Sequence, residues 1–518
     1  MSLSTYNKRL NRRNFLRITA GLAVVPALPL FGSNHLLAQA LPADITSMSA
    51  TQLSAAIRAR QVSCVEVMQS YLQRIHRYNP VYNVIVSMVN DDELIKQAAF
   101  ADRALARQEY WGWMHGMPHA VKDLANAKGL ETSFGSPIHA GIIAEADDIH
   151  ISRIRGQGAI FIGKTNVPEF GLGSQSYNTV HGTTKNAYNP DLTAGGSSGG
   201  ASSGMASHML PTADGSDMMG SLRNPAAFNN VIGFRPSQGR VPSTPKDLFY
   251  HQLSVNGPMG RNVEDTIRML STIAGYDARS PLSLRDEIPK YDNFQRSDLS
   301  NYRIGWMGDY DGYLSTEPGL IELCEQSLKD ISSHGVIVED CKPEYDMARL
   351  WQTWLTFRHW SQTGRQAQYN DPEIRKLFKP ELVWEIEGSF DISGARLSAG
   401  AVDRADWYLA LEKLFERYDI LALPSAQVFP FSADVHWPKS INGKPMDTYH
   451  RWMEAVIGGT LAGLPVVNLP AGFDSQGRPM GMQFIGRMGQ DRQVLEFAMA
   501  YEAITDHLDQ RPTLNEVI

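Results

Sequence analysis

The sequence predicts an α/β protein in which one mixed or parallel β-sheet is covered on both faces by helices. Two observations carry this prediction: short β-rich runs recur along the chain, and helical stretches such as residues 320–331 lie between several of them. The β-rich runs are residues 84–89, 160–162, 304–306, 336–338, 420–423, 466–469 and 482–485.

Two helices have a predicted start near the beginning of this fold. Ser49 with Gln52, and Ser63 with Glu66, fit the capping box, in which the serine and the longer side chain satisfy each other's backbone amides. Apolar residues recur at helical spacing after the second box, and the Asn-Pro pair at Pro80 is predicted to end that helix.

Composition and charge exclude several classes of protein. The 518 residues are 43% hydrophobic and 20% charged, which excludes intrinsic disorder, a collagen-like fibre and a polytopic membrane protein. Residues 1–40 hold five basic side chains and no acid, so the rest of the chain carries 43 basic and 55 acidic side chains, a net charge of −12. A body this acidic repels phosphate backbones, so no nucleic acid partner is expected.

The first forty residues are predicted to be a twin-arginine signal peptide that is removed. Arg12 and Arg13 precede an apolar run, residues 18–31, and Ala38-Gln39-Ala40, which has small residues at both ends, precedes Leu41. The run is shorter than the roughly 20 apolar residues that span a bilayer, so no permanent membrane anchor is expected. We therefore predict export to a Gram-negative periplasm and a mature chain over residues 41–518. The alternative is a flexible basic N-terminus on a cytosolic protein.

A serine- and glycine-rich segment, residues 194–204, leads into residues 205–210, which are predicted to form a close-packed helix. A flexible linker is one interpretation, but linkers divide domains. A phosphate-binding loop would end in Lys-Ser or Lys-Thr, which is absent here. Residues 196–200 satisfy the G-x-S-x-G rule of hydrolases, but the polar residues before them do not form the hydrophobic strand that such an elbow requires.

Over a wider window the sequence resembles the amidase signature family. The resemblance covers about residues 45–505. Its motifs are residues 116–123, 163–170, 195–200, 215–226, 233–241, 462–465 and 481–486. It implies the amidase signature fold, a single large domain with a mixed, mostly parallel β-sheet sandwiched between α-helices.

The resemblance also implies a Ser–Ser–Lys catalytic triad. By motif position, Ser221 is the nucleophile, Ser197 is the bridging serine on a cis peptide, and Lys122 is the base. A serine hydroxyl attacks only when a group removes its proton, and a buried lysine can do this because burial favours its neutral form. Ser198 is expected to hydrogen-bond the lysine, and Asp217 and Arg223 are expected to brace the loop.

The oxyanion hole implied by the resemblance consists of the backbone N–H groups of Met218, Met219, Gly220 and Ser221. The family usually has Thr-Asp-Thr-Gly-Gly-Ser where this chain has residues 216–221. A backbone donor survives the change from glycine to Met219, whereas the added side chain changes the shape of the acyl pocket.

These residues predict a small-molecule amidase without a cofactor or metal. The reaction would hydrolyse a linear, non-peptide-backbone carboxamide to a carboxylic acid and an amine or ammonia through an acyl-enzyme on Ser221. Three alternatives remain: a serine esterase that uses Ser198 with a histidine, a catalytically impaired binding protein supported by Met219, and an amidotransferase component that acts on charged transfer RNA. Export and the acidic body argue against the last. A homodimer is left open.

Two side-chain patterns have a structural interpretation. His115 and His119 stand four apart, but Gly116 and Pro118 argue against a helical metal pair. Four aromatic residues recur every three positions and are predicted to pack in the core, with a substrate entrance as the alternative. They are Trp351, Trp354, Phe357 and Trp360.

Overall fold

The computed structural model describes residues 41–245, 247–249, 253–286, 290–300 and 302–516. The predicted signal peptide lies outside these residues. The strands are β1 (Ile85–Val86), β2 (Pro118–Lys122), β3 (Ile160–Thr165), β4 (Tyr177–Asn178), β5 (Gly182–Thr183), β6 (Ala213–Asp217), β7 (Ile232–Arg235), β8 (Val255–Gly260), β9 (Arg303–Trp306), β10 (Ile337–Asp340), β11 (Ile420–Pro424), β12 (Ser440–Ile441), β13 (Lys444–Pro445), β14 (Val466–Phe473) and β15 (Pro479–Ile485).

The helices lie before, between and after these strands. They are α1 (Ala50–Arg58), α2 (Cys64–Tyr82), α3 (Asp91–Ala106), α4 (Ile149–Gly156), α5 (Gly199–Ala206), α6 (Arg223–Phe228), α7 (Val263–Ile273), α8 (Leu320–Ser332), α9 (Met347–Trp360), α10 (Gln366–Asn370), α11 (Pro372–Arg375), α12 (Pro380–Ser389), α13 (Gly394–Phe415), α14 (Ile457–Leu461) and α15 (Asp491–Ile504).

One eight-stranded sheet forms the centre of the domain, in the order β10-β9-β11-β15-β14-β7-β8-β6. The β10–β9 and β9–β11 pairs are parallel, and the remaining neighbours pair antiparallel. Five of the eight strands therefore run in one direction, although antiparallel pairs outnumber parallel ones. The predicted single large domain with a mixed sheet is confirmed.

The central strands of this sheet are buried on both faces. Every residue of β11 and β15 is buried, as is every residue of β14 except the last. Successive side chains of a strand point to opposite faces, so continuous burial requires cover on both sides. Helices provide that cover: α6 packs on β14 and β15, and α8 and α15 pack on β14.

The capping boxes at the start of α1 and α2 are confirmed, because each serine accepts from the third helical amide and each partner side chain reaches back. The predicted end of α2 is wrong. Pro80 lies inside the helix, which continues to Tyr82. It stops where Asn83 adopts a left-handed conformation with φ 49° and its N–H donates to the oxygen of Asn79.

The helix that was predicted over residues 205–210 lies earlier in the chain. Helix α5 (Gly199–Ala206) begins within the serine–glycine segment and includes its residues 199–204, and all residues of α5 are buried. Small side chains allow its backbone to approach β2, β3, β6 and α6 closely. This packing overrides the low helix propensity of glycine and serine.

A second, three-stranded sheet carries the predicted lysine. Strand β3 lies between β1 and β2, and it pairs parallel with β2, where Lys122 lies opposite Thr165. Strand β2 also packs beside β6 of the large sheet, and α5 contacts both strands. The end of β2, the start of α5 and the end of β6 therefore meet at one place.

Three further features of the fold concern the cysteines, the helix lengths and the aromatic residues of α9. Cys64, Cys324 and Cys341 are free thiols. No described helix combines the length and the apolar character needed to cross a bilayer. Trp351 and Trp354 on α9 are buried at 1% and 0% exposure, which confirms the core interpretation for these two residues.

Candidate active site

Lys122 is the last residue of β2, and its side chain is surrounded by oxygen atoms. Its Nζ atom lies 2.9 Å from Oγ of Ser197, 2.7 Å from Oγ of Ser198 and 2.9 Å from Oγ of Ser216. The backbone oxygen of Ser216 lies 3.2 Å from the same atom. Three hydroxyls and one carbonyl therefore surround a lysine that is only 1% exposed.

Burial sets the protonation state of this lysine. Loss of hydration disfavours the ammonium form and lowers the pKa of Lys122 to about 7, although the negative charges of Asp214 and Asp217 oppose the shift. An ordinary lysine has a pKa of ~10.4 and is almost fully charged at neutral pH. Lys122 thus provides a neutral amine near pH 7, and its lone pair can accept a proton from an adjacent hydroxyl.

The serine–glycine segment places Ser197 against this amine. The peptide bond between Gly196 and Ser197 is cis. The Ser174 hydroxyl donates to the Gly196 oxygen at 2.7 Å, and the Gly196 N–H donates to the Ser174 hydroxyl at 3.2 Å. A Cβ atom on Gly199 would lie 2.3 Å from Oγ of Ser176, so this close approach requires glycine at the start of α5.

Ser221 follows a tight turn after β6, next to the segment that carries Ser197. The Ser198 N–H donates to the Ser221 backbone oxygen at 3.3 Å, so the two serine segments are in contact. The turn requires Gly220, which has φ 78° and no room for a side chain, since a Cβ atom would lie 1.9 Å from Oδ1 of Asn224. Ser221 itself is 7% exposed.

Asp217 braces the turn before Ser221. Its carboxylate accepts from the amides of Gly220 and Leu222 at 3.0 and 3.1 Å, and from Nε and Nη2 of Arg223 at 3.0 and 2.9 Å. Arg235 donates to the Asp217 backbone oxygen at 2.6 Å and to its Oδ1 atom at 3.4 Å. Burial opposes ionisation, but the two guanidinium groups outweigh it and hold the pKa of Asp217 well below its usual value.

The four amides that were predicted to form the oxyanion hole are not equivalent. The Gly220 N–H already donates to the Asp217 carboxylate. The amides of Met218, Met219 and Ser221 have no acceptor among the described residues. Three of the four predicted donors are therefore available to a negatively charged oxygen near Ser221.

A buried polar cluster that was not predicted from the sequence lies against this loop. Arg358 on α9 donates from Nε to Oε1 of Glu385 at 2.6 Å and from Nη2 to the Tyr449 hydroxyl at 3.2 Å, and its Nη1 atom contacts Sδ of Met218. Tyr449 also donates to Glu385 at 2.5 Å. The members of this cluster come from α9, α12 and a later loop, so no single stretch of the sequence marks it.

A second unpredicted cluster lies behind Lys122. Asp214 on β6 accepts from the Lys122 backbone amide at 3.2 and 3.3 Å, and Nε2 of His119 lies 3.0 Å from its Oδ1 atom. Nε2 of His150 lies 3.9 Å from its Oδ2 atom. All of these side chains are at most 2% exposed. His119, which the sequence suggested only as a poor metal ligand, is therefore a partner of Asp214.

The remaining predictions for this region concern metals and the aromatic helix. Among the described residues, no cluster of histidine, cysteine, aspartate and glutamate is placed to hold a metal ion. Phe357 and Trp360 line an apolar cavity of about 760 Å³ between α9 and α13. Its described lining includes none of the serines or the lysine discussed above.

Comparisons with known proteins identify the family of the chain. The sequence model of the amidase family, described as Amidase, matches residues 66–495. An acylamidase of Rhodococcus erythropolis is 29% identical over 91% of this chain and 98% of its own length. A glutamyl-tRNA(Gln) amidotransferase subunit from Symbiobacterium thermophilum is 31% identical over 90% of this chain and 99% of its own length.

Among solved structures, a bacterial aryl acylamidase of the amidase signature enzymes superposes on this chain with a TM-score of 0.83 and 27% sequence identity. The match covers 90% of this chain and 99% of that protein. The fold is therefore similar to that of a solved aryl acylamidase.

Proposed function

The chain belongs to the amidase family, and from this premise we propose that it hydrolyses a carboxamide through an acyl-enzyme on Ser221, with Ser197 and Lys122 completing the triad. The observation that carries the proposal is the buried Lys122 amine, which lies 2.9 Å from the Ser197 hydroxyl at the segment that contacts Ser221. No cofactor enters the proposed reaction.

In the proposed acylation step, a bond forms between Oγ of Ser221 and the amide carbon, the C–N bond breaks, and a proton passes from Ser221 to the leaving amine. Oγ of Ser221 attacks the amide carbon as its proton passes to Ser197, while the proton of Ser197 passes to the Lys122 amine. The carbonyl oxygen becomes an oxyanion, which the amides of Met218, Met219 and Ser221 stabilise. When the tetrahedral intermediate collapses, the amine leaves with the proton that Lys122 returns through Ser197, and an ester on Ser221 remains.

Deacylation repeats the same proton path with water in place of serine. A water molecule attacks the ester as its proton passes towards Lys122, and the carboxylic acid leaves when Oγ of Ser221 recovers a proton. Asp217 acts only through structure in this scheme, because its two arginine partners and two amide donors fix the turn that presents Ser221.

The proposed substrates are small linear amides. The support is the similarity to an acylamidase and to an aryl acylamidase, together with the net charge of −12 outside residues 1–40, which disfavours a polyanionic substrate. A panel that contains acetanilide, an aliphatic amide, a dipeptide amide and glutamine would identify the acyl and amine preferences. If the protein hydrolyses none of these amides, the proposal is contradicted.

A second candidate function is that of an amidotransferase component, which the 31% identity to such a protein favours. This candidate predicts release of ammonia from glutamine and little turnover of aryl or aliphatic amides. The same panel therefore separates the two candidates.

The esterase alternative has less support, because no described histidine hydrogen-bonds Ser197, Ser198 or Ser221.

A serine-reactive phosphonate tests the identity of the nucleophile. We expect the phosphonate adduct on Ser221 by peptide mass spectrometry and no adduct after Ser221→Ala. Ser207→Ala is a matched control, because Ser207 is a buried serine whose hydroxyl donates to the Ser203 oxygen at the end of α5. An adduct on Ser198 in the wild-type protein would favour the esterase with a nucleophile elbow instead.

We also propose that the protein is exported to the periplasm by the twin-arginine route, on the basis of Arg12, Arg13 and residues 38–40. Arg12→Lys/Arg13→Lys should retain the precursor in the cytoplasm, whereas Arg9→Lys/Arg17→Lys should be exported normally. Cell fractionation and N-terminal sequencing provide the measurement, with mature protein expected to begin near Leu41. Normal export of the first variant would contradict the assignment.

A further inference from the structure

The buried carboxylate of Asp214 differs from other buried acids near the active site because no lysine or arginine side chain pairs with it in the described part of the chain. Asp217 is paired with Arg223 and Arg235, and Asp123 lies 3.7 Å from Nζ of Lys164. The polar neighbours of Asp214 are instead two histidines and the backbone amide of Lys122.

The hydrogen bonds of Asp214 hold the end of β2, where Lys122 lies. Both carboxylate oxygens accept from the Lys122 N–H, at 3.2 and 3.3 Å, across the contact between β6 and β2. Because Lys122 is the last residue of β2, these bonds fix the backbone from which its side chain reaches Ser197. The carboxylate thus touches the lysine at the backbone and not at the amine.

The histidines favour the ionised form of Asp214. Burial opposes ionisation, but the hydrogen bond and charge of His119, the charge of His150 and the Lys122 amide outweigh it, so the pKa of Asp214 lies below its usual value. Burial lowers the pKa of His150, and the negative charge of Asp214 opposes this shift. Nδ1 of His119 and Nε2 of His150 have no hydrogen-bond partner among the described residues, and Nδ1 of His150 lies 3.3 Å from Nδ2 of Asn256.

The other charged groups around Asp214 and Lys122 have partners of opposite charge. Lys164 on β3 faces Asp123 as well as Asp214 and Asp148, and burial lowers its pKa. On the other side of Lys122, the charge of Asp217 is compensated by its two arginines. Asp214 is therefore the acid whose charge acts most strongly on the Lys122 amine, and its described side-chain partners are histidines rather than lysine or arginine.

We propose that Asp214 is a positioning residue for Lys122: its hydrogen bonds fix the end of β2, and its buried charge sets the pH at which the Lys122 amine becomes available as a base. The inference rests on the proposed role of Lys122. A negative charge nearby favours the ammonium form, so Asp214 raises the pH that is needed to free the amine. Without that charge, the amine would be neutral in more acidic solution.

The test compares the acidic limb of the kcat/KM profile in wild type and in Asp214→Asn. The substitution keeps a hydrogen-bond acceptor for the Lys122 amide and removes the charge. We expect the midpoint of the limb to move to lower pH by roughly one unit. A residue with only a structural role would lower stability or kcat and leave this midpoint unchanged, so an unchanged midpoint would overturn the inference.

Asp265→Asn is the matched control. Asp265 is also fully buried, and its carboxylate accepts from the amides of Ala50 and Thr51 at 2.9 and 2.8 Å, where it joins α7 to the start of α1. We expect this variant to lose stability without a shift of the midpoint. An equal shift in this control would show that the Asp214→Asn shift reflects general destabilisation, and it would overturn the inference.

If Asp214→Asn does not fold, His119→Leu/Asp214→Leu provides a second test, because apolar residues often replace a buried ionic pair without loss of stability. The same shift to lower pH is expected.

Lys122→Met separates the two proposals: if the wild-type limb persists in that variant, the proposed role of Lys122 fails. If the limb disappears there while Asp214→Asn leaves the wild-type midpoint in place, only the inference about Asp214 fails.

Discussion

Two aspartates on strand β6 have the same degree of burial and opposite surroundings. Asp214 and Asp217 are 1% and 0% exposed. Two guanidinium groups and two backbone amides bind the Asp217 carboxylate. The Asp214 carboxylate has the amide of Lys122 and His119 as hydrogen-bond partners, with His150 at 3.9 Å.

The difference shows how one residue type serves two purposes in one site. A buried carboxylate that cations balance gives rigidity, because breaking such a pair leaves a charge unpaired in a medium of low polarity. A carboxylate that is left partly unbalanced acts on the protonation of its neighbours instead. Asp217 fixes the turn of the nucleophile, and Asp214 faces the base.

The largest expected effect is the loss of kcat when Lys122 is replaced. Lys122→Met should lower kcat by at least the 10²–10⁴ expected of a general base, because Lys122 is the basic side chain that hydrogen-bonds Ser197 in the described part of the chain. Steady-state kinetics on an amide that the wild type hydrolyses provides the measurement, with circular dichroism to verify folding. A folded variant that keeps more than a tenth of the wild-type kcat would contradict the account.

Measurements of the free energy of unfolding test whether Asp214 and Asp217 have different structural roles. Asp217→Asn leaves two buried arginines without a counter-charge and should cost about 3–5 kcal/mol of the free energy of unfolding. Asp214→Asn removes charge-assisted hydrogen bonds only and should cost about 1–3 kcal/mol. Urea unfolding of both variants provides the values. Equal costs would show that the two aspartates have the same structural role.

The sequence predicted those parts of the site that lie within continuous motifs. Lys122, Ser197 and Ser221 lie in short segments of characteristic composition, and the structure brings these segments together. The helix starts at Ser49 and Ser63 were predictable because a capping box is local.

Features that depend on distant contacts could not be predicted in this way. His119 and Asp214 are 95 residues apart, and Arg358 and Met218 are 140 residues apart. No local pattern marks such pairs, since tertiary packing alone creates them. Residues 199–204 of the serine–glycine segment are helical for the same reason: burial against neighbouring strands outweighs their weak helix propensity.

The stability of the protein should also depend on pH through Lys122. Its pKa is about 7 in the fold and ~10.4 in the unfolded chain. Between these values the unfolded chain binds a proton that the folded chain does not, so the free energy of unfolding rises with pH over this range and its contribution is constant below it.

The measurement is urea unfolding of wild type and Lys122→Met from pH 6 to pH 10. The difference between the two proteins should change by at most about 1.4 kcal/mol per pH unit in favour of the wild type as pH rises from about 7. A difference that is independent of pH would show that Lys122 keeps an ordinary pKa in the fold.

The smallest expected effect concerns the side chain in the nucleophile turn. Met219→Gly keeps the backbone N–H that is proposed to stabilise the oxyanion, whereas loss of such a donor costs about 10²–10³ in kcat. We therefore expect kcat to change by less than about tenfold, with larger changes in KM for bulky acyl groups. A hundredfold change in kcat across small and bulky amides alike would contradict this assignment of the amide.

The most direct test of the central claim is the pH dependence of Ser221 phosphonylation, because it reports activation of the nucleophile before any step of amide turnover. The second-order rate constant of the wild type should rise with pH through a midpoint near 7, the folded pKa of Lys122. In Lys122→Met the rate should fall and lose this midpoint. If the midpoint remains in Lys122→Met and disappears on replacement of a histidine, Lys122 is not the base.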